Sequence, residues 1–178
     1  PGMRRVIVKA RIARHGTSDL GAARAHQHYI LRDGVTRDGQ PGQLYDKDRD
    51  DAEGGDFLAR QKEDRYQFRF IVSPEDSARM EDLKPFVRDL MRGMEQDLRT
   101  ELDWIAVDHF NTGHPHTHVV IRGRDDQGRD LVIARDYIGH GVRARAQTLM
   151  TLELGPESEL ERLQKLASEV EQERFTRL

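Results

Sequence analysis

The chain has 178 residues, a formal net charge of −3, 36% hydrophobic and 34% charged residues. That length suits one domain with a real core. The lack of any cysteine excludes disulfides, thiolate metal ligands and a cysteine nucleophile. No apolar run approaches about 18 residues and no signal-type apolar stretch is present, so a soluble, cytoplasmic protein is expected.

Pro1-Gly2 ahead of Met3 reads as a cleavage scar before a native start and is set aside. Residues 4–13 alternate well enough to form a strand. Thr17, Ser18 and Asp19 offer N-caps for a helix running to about Leu31, which Arg32-Asp33-Gly34 stops. Residues 33–64 are rich in Gly and Asp and read as a mobile loop holding a short helix near 55–61. A strand follows at 66–72. Ser73-Pro74-Glu75-Asp76 then has the chemistry of a helix start, with Ser as N-cap and Pro in the first turn. Met80, Leu83, Val87, Leu90, Met91, Met94 and Leu98 continue it as one apolar stripe, read as sheet-facing core. Residues 103–110 and 116–122 form an antiparallel pair, 130–134 a short strand, and 136–152 and 157–175 two closing helices.

The order β-α-loop-β-α-β-β-β-α-α implies an α+β fold. It predicts two layers, a central antiparallel sheet of about five strands with helices mainly on one face. The expected organisation is one domain over 3–152 with a C-terminal helical segment over 153–178. Charge is polarised along the chain. Residues 1–37 hold eight Lys/Arg against two Asp, whereas 38–64 hold four against nine acids. A basic face for phosphate is compatible with an acidic total.

Four of the eight histidines fall between positions 109 and 118. Strand side chains alternate faces, so His116 and His118 point the same way. If the two strands pair antiparallel with His109 opposite His116, three imidazoles converge on one face and leave open coordination positions. Nitrogen donors suit Zn, Mn, Fe, Ni or Cu and do not choose among them. His114, beside Pro115, is directed away. No His-Glu-x-x-His helix is present, which argues against a zincin protease. A metal that polarises a phosphoryl oxygen needs a nucleophile, either water or a side chain. Tyr29 stands at the end of its helix in the most basic segment, between His28 and Arg32.

The run His109-x-x-x-x-His114-Pro-His116-x-His118-Val-Val resembles the third motif of conjugative and mobilisation relaxases of the HUH endonuclease superfamily. Tyr29-Ile-Leu-Arg-Asp-Gly looks like the nucleophile motif of the MOB-P group. Phe68-Arg-Phe-Ile-Val-Ser73-Pro74 is similar to the strand and turn before that group's long helix. The likeness runs over about residues 4–150 and is closest to DUF3363-type relaxases, whose N-terminal catalytic part this would be.

The resemblance implies Tyr29 as catalytic nucleophile and His109, His116 and His118 as ligands of a divalent ion. Mg or Mn would be the ion in use, with Zn or Ni also able to bind. It implies site-specific nicking of single-stranded DNA at an origin of transfer through a 5′-phosphotyrosyl intermediate. Relaxosome accessory proteins and a coupling protein would be partners, and the covalent form would pass to a recipient cell. Asn111 stands where relatives often carry Asp. Glu63, Asp64, Asn111 and His114 are candidate bases or ligand-orienting groups. Arg4, Arg32, Arg122 and Arg124 are candidate DNA contacts. Two other readings stay open: a metal-dependent phosphodiesterase that uses water, and a DNA-binding accessory protein without chemistry.

Overall fold

The computed structural model describes residues 2–16 and 20–177, so the candidate N-caps Thr17, Ser18 and Asp19 lie outside the described residues. The strands are β1 (Val6–Arg14), β2 (Tyr66–Pro74), β3 (Trp104–His109) and β4 (His116–Arg122). The helices are α1 (Gly21–Arg32), α2 (Gly54–Arg60), α3 (Lys84–Leu98), α4 (Val142–Leu154) and α5 (Glu159–Thr176). All strand neighbours are antiparallel, in the order β1-β2-β4-β3. The fold is α+β, as the element order implied.

Among the described residues, four strands stand where about five were expected. Residues 130–134 make one bridge, Asp130 to Arg124, and no strand. Their alternation has another cause: Leu131 and Ile133 are buried core residues of a loop that lies over the sheet.

The helix after β2 starts later than Ser73-Pro74 suggested. β2 runs on to Pro74, with Ser73 opposite Ile7 and Pro74 opposite Val6. A proline in an inner strand normally loses a ladder bond. Here the β2–β4 ladder ends at Val72 opposite Thr117, so no neighbour asks Pro74 for its missing N–H. A 3₁₀ turn at Ser77–Arg79 intervenes, and α3 begins at Lys84-Pro85 with the Asp82 carboxylate accepting from the Lys84 N–H at 3.0 Å. The same start chemistry occurs twice, and packing selects the second.

Helices cover both sheet faces rather than mainly one. Phe86, Val87, Leu90, Met91 and Met94 of α3, with Val142, Ala146 and Met150 of α4, pack on Phe68, Phe70, Val72, Val119, Ile121, Trp104 and Ala106. Burying each large apolar side chain contributes about 1.5–3 kcal/mol. The other face holds a smaller cluster: Ile30 of α1, Phe57 of α2, Leu44 and Ala52 against Ile105, Val107 and Val120. That cluster covers β3 and β4, and α5 buries no residue.

Residues 33–64, expected as a mobile loop with a short helix near 55–61, hold that helix as α2 and make backbone bonds to the sheet. Val35 bridges His109, and Tyr45 exchanges backbone bonds with Ala106 at 2.9 and 2.8 Å. The apolar anchors Leu44 and Tyr45 outweigh the Gly- and Asp-rich composition around them. They also cap the outer edge of β3. Among the described residues, no strand lies beside the outer edge of β1.

Candidate active site

His109 lies opposite His116, the register that brings three imidazoles to one face. Ring centroids are 5.1 Å apart for His109–His116, 4.6 Å for His109–His118 and 5.0 Å for His116–His118. One nitrogen from each ring lies within 4.8 Å of the other two. Two of the rings are held by backbone carbonyls. His109 Nε2 is 2.7 Å from the Ile30 carbonyl and His116 Nδ1 is 2.9 Å from the His114 carbonyl. A carbonyl only accepts, so both nitrogens donate, which leaves His109 Nδ1 and His116 Nε2 as free lone pairs. Metal-ligating histidines are commonly fixed in this way. The donor set therefore fits a divalent transition ion.

Electrostatics agree. Burial, reinforced by the charges of His109 and His116, pushes His118 down to about 3. Burial also lowers His109. Neutral imidazole is the form that binds metal.

On the opposite face, the neighbouring row, Asp108 opposite Thr117, is locked beside the His109–His116 pair. Asp108 Oδ1 accepts from Tyr45 Oη at 2.7 Å and from Thr117 Oγ1 at 2.7 Å, both buried donors, with Lys84 Nζ at 3.8 Å from the carboxylate. A slip of one residue would send every histidine to the wrong face. Burial raises the pKa of Asp108, against the pull of the Thr117 and Tyr45 bonds.

α1 reaches this site through its last turn. Ala23, Gln27 and Ile30 are its buried stripe, and the Ile30 carbonyl is the group that holds His109. Tyr29 precedes it by one residue, is 53% exposed, and has the Arg32 guanidinium 5.6 Å from its ring centre. The chain then turns at Gly34, where an added Cβ would stand 2.7 Å from Val107 Cγ2 and 3.2 Å from the Leu31 carbonyl. Only a glycine lets the end of α1 pass so close beneath β3. Sequence separation thus hides a direct link: Ile30 and His109 are neighbours across one hydrogen bond.

A family model described as "Relaxase: MobA/VirD2-like, nuclease domain" matches residues 43–174. The chain belongs to that relaxase family. The match takes in all three histidines and begins after Tyr29. No curated protein matches the chain. As a relaxase nuclease domain it is a DNA-nicking enzyme fold that acts on single-stranded DNA.

Other expected site residues of this relaxase domain lie elsewhere. Asp64 forks onto Arg122, with Nε–Oδ2 at 2.8 Å and Nη2–Oδ1 at 2.9 Å, at the far end of β4 from His116. Arg124 donates to the Glu63 carbonyl at 2.7 Å. Neither Glu63 nor Asp64 bonds a histidine of the cluster, so neither orients a ligand ring. Asn111 and His114 are exposed in the β3–β4 turn, and His114 contributes its carbonyl rather than its imidazole. Arg32 is exposed and pairs with Asp33 at 3.3 Å.

Arg4 is a correction. It is 1% exposed and bonds Glu161 at 2.7 Å, the Gly155 carbonyl at 2.7 Å and Asp76 at 3.2 Å. Two carboxylates and two carbonyls, Gly155 and Leu154, already satisfy it, so it ties α5 to the sheet and is buried away from any DNA. The residue that spacing alone could have flagged is His26, one helical turn before Tyr29. Burial, with Arg69 and Arg11 nearby, pushes His26 down to about 4, and its charge is felt at His118.

Proposed function

We propose that this relaxase domain cuts and rejoins single-stranded DNA by transesterification, with Tyr29 as nucleophile. The observation that carries the reading is the Ile30 carbonyl on His109 at 2.7 Å, which fixes the tyrosine-bearing turn of α1 against the three-imidazole cluster. A divalent cation held by His109 Nδ1, His116 Nε2 and a nitrogen of His118 would neutralise charge growing on the non-bridging phosphate oxygens.

The Tyr29 oxygen forms the new bond to phosphorus as the bond to the 3′ oxygen breaks. The phenol proton leaves to solvent or a nearby base, and the departing 3′ oxygen takes one up. One phosphoester replaces another, so the step runs in either direction. The Arg32 guanidinium stands 5.6 Å from the centre of the Tyr29 ring. On the same reading the substrate is an origin of transfer on a plasmid or integrative element. Accessory and coupling proteins are then its partners, and the covalent protein–DNA form is what travels.

The test is a labelled single-stranded oligonucleotide carrying an origin of transfer, incubated with the protein and Mn²⁺ and run on a denaturing gel. A protein–DNA adduct that Tyr29→Phe abolishes is the expected result. Cleavage without adduct in the wild type would instead support water as nucleophile. Tyr29 would then have no part in the chemistry.

A further inference from the structure

β1 and β2 pair with Arg11 opposite Arg69, and Arg69 in turn pairs with Val120 of β4. Both arginines therefore share the face of His116 and His118. They occupy the next same-face row beyond the one that joins Lys9, Ile71 and His118. Like charges on directly opposed strand positions destabilise a sheet, and Arg69 feels this: burial first, then Arg11, lowers its pKa.

Among the described residues, no carboxylate lies within ion-pair distance of Arg11, Arg69 or Lys9. The Gln67 side chain, with its oxygen turned toward Arg69, accepts from Nη2 and Nε at 2.8 and 2.9 Å and donates to Gln61 Oε1 at 2.9 Å. Arg69 is thus aimed by a neutral amide, while Arg11 and Lys9 are exposed.

The arginines nominated from sequence differ in kind. Arg4, Arg32 and Arg122 each bond an acid, and Arg124 sits 3.6 Å from Asp64. The second core cluster covers the β3–β4 half of this face, and Ile7 on the β1 half is 49% exposed. An opposed guanidinium pair on open sheet costs stability alone and gains it with an anion between the forks, the geometry that suits phosphate.

We propose that Arg11 and Arg69 form a backbone-phosphate subsite for the DNA strand, with Lys9 beside it, one sheet row from the histidine cluster. Adjacent same-face rows are about 7 Å apart, so the subsite holds a phosphate near the scissile one. The proposal rests on the reading of the site as acting on a phosphodiester.

The test is fluorescence anisotropy of a labelled oligo-dT in EDTA, titrated with salt. The plot of log affinity against log salt should lose about 0.7 in slope for Arg11→Gln and about 1.4 for the Arg11→Gln, Arg69→Gln double variant. Affinity at low salt should fall about tenfold or more for the double variant. Arg92→Gln, on α3 across the sheet, should leave the slope unchanged. Folding is checked by circular dichroism, and Arg11→Gln at its exposed position keeps the test alive if the double variant does not fold. Wild-type slope and affinity in folded Arg11→Gln and double variants would overturn the subsite alone. A wild-type protein that binds no oligo-dT would overturn the phosphodiester reading and the subsite together.

Discussion

Replacing Asp108 tests whether the buried triangle behind the histidines sets the strand register. Asp108→Ala removes the acceptor of two buried donors, Tyr45 Oη and Thr117 Oγ1, each at 2.7 Å. Each stranded donor costs about 1–3 kcal/mol, so the pair costs about 2–6 kcal/mol. Removing a carboxylate whose charged form is disfavoured by burial offsets part of this, and a loss of about 3 kcal/mol is expected. Asp108→Asn keeps one acceptor and should lose about 1 kcal/mol near neutral pH.

The pH dependence has a definite sign. The folded pKa of Asp108 is raised, so its favourable contribution is complete below the unfolded value of about 3.9 and declines as pH rises through the folded value. Asparagine lacks that decline. The gap between wild type and Asp108→Asn should narrow as pH increases from about 4 upward. Urea unfolding across pH, with a Co²⁺ titration of each variant, measures both stability and site geometry. Asp108→Ala should also bind Co²⁺ more weakly, because Asp108 and Thr117 form the row next to the His109–His116 pair. A stability loss under about 1 kcal/mol, or unchanged Co²⁺ affinity in Asp108→Ala, would refute the register argument.

His118→Ala should weaken Co²⁺ or Mn²⁺ binding by about 100-fold or more, and wild type at 100 times its dissociation constant should gain about 2.7 kcal/mol of stability. No thermal shift with either ion would count against the site. Gly34→Ala forces a Cβ to within 2.7 Å of Val107 Cγ2. It should cost about 1–3 kcal/mol and reduce adduct formation out of proportion to folded fraction, because the end of α1 moves. Arg4→Met removes one of two cations from each of Asp76 and Glu161, leaving Lys165 at 3.0 Å and Arg79 at 3.5 Å, and should cost about 1–3 kcal/mol in thermal or urea unfolding. Its salt slope for oligo-dT should match wild type, separating buried structural arginine from surface DNA contact.

The histidine cluster was legible because strand parity is a strict rule: fixing His109 opposite His116 leaves one face for all three rings. The tie from Ile30 to His109 was not legible, since a backbone carbonyl leaves no mark in sequence. The helix after β2 was misplaced because Ser73-Pro74 and Asp82-Leu83-Lys84-Pro85 carry equivalent start chemistry. Only the length of the β1–β2 ladder decides between them. Arg4 and Arg11 look alike in a basic N-terminus. Their difference lies in strand position: Arg4 precedes β1 and reaches α5, whereas Arg11 lies in the ladder opposite another arginine.

Among the described residues, β1 has no strand on its outer side. A bare edge is a template on which a second chain can add a strand, and charged side chains along it are a common defence. Lys9 and Arg11 stand along this edge between Ile7 and Ile12, both exposed, and Arg14 follows. The cations that would meet the nucleic acid thus also discourage edge-to-edge self-association, and neutralising them for a binding experiment should be accompanied by a check of solubility.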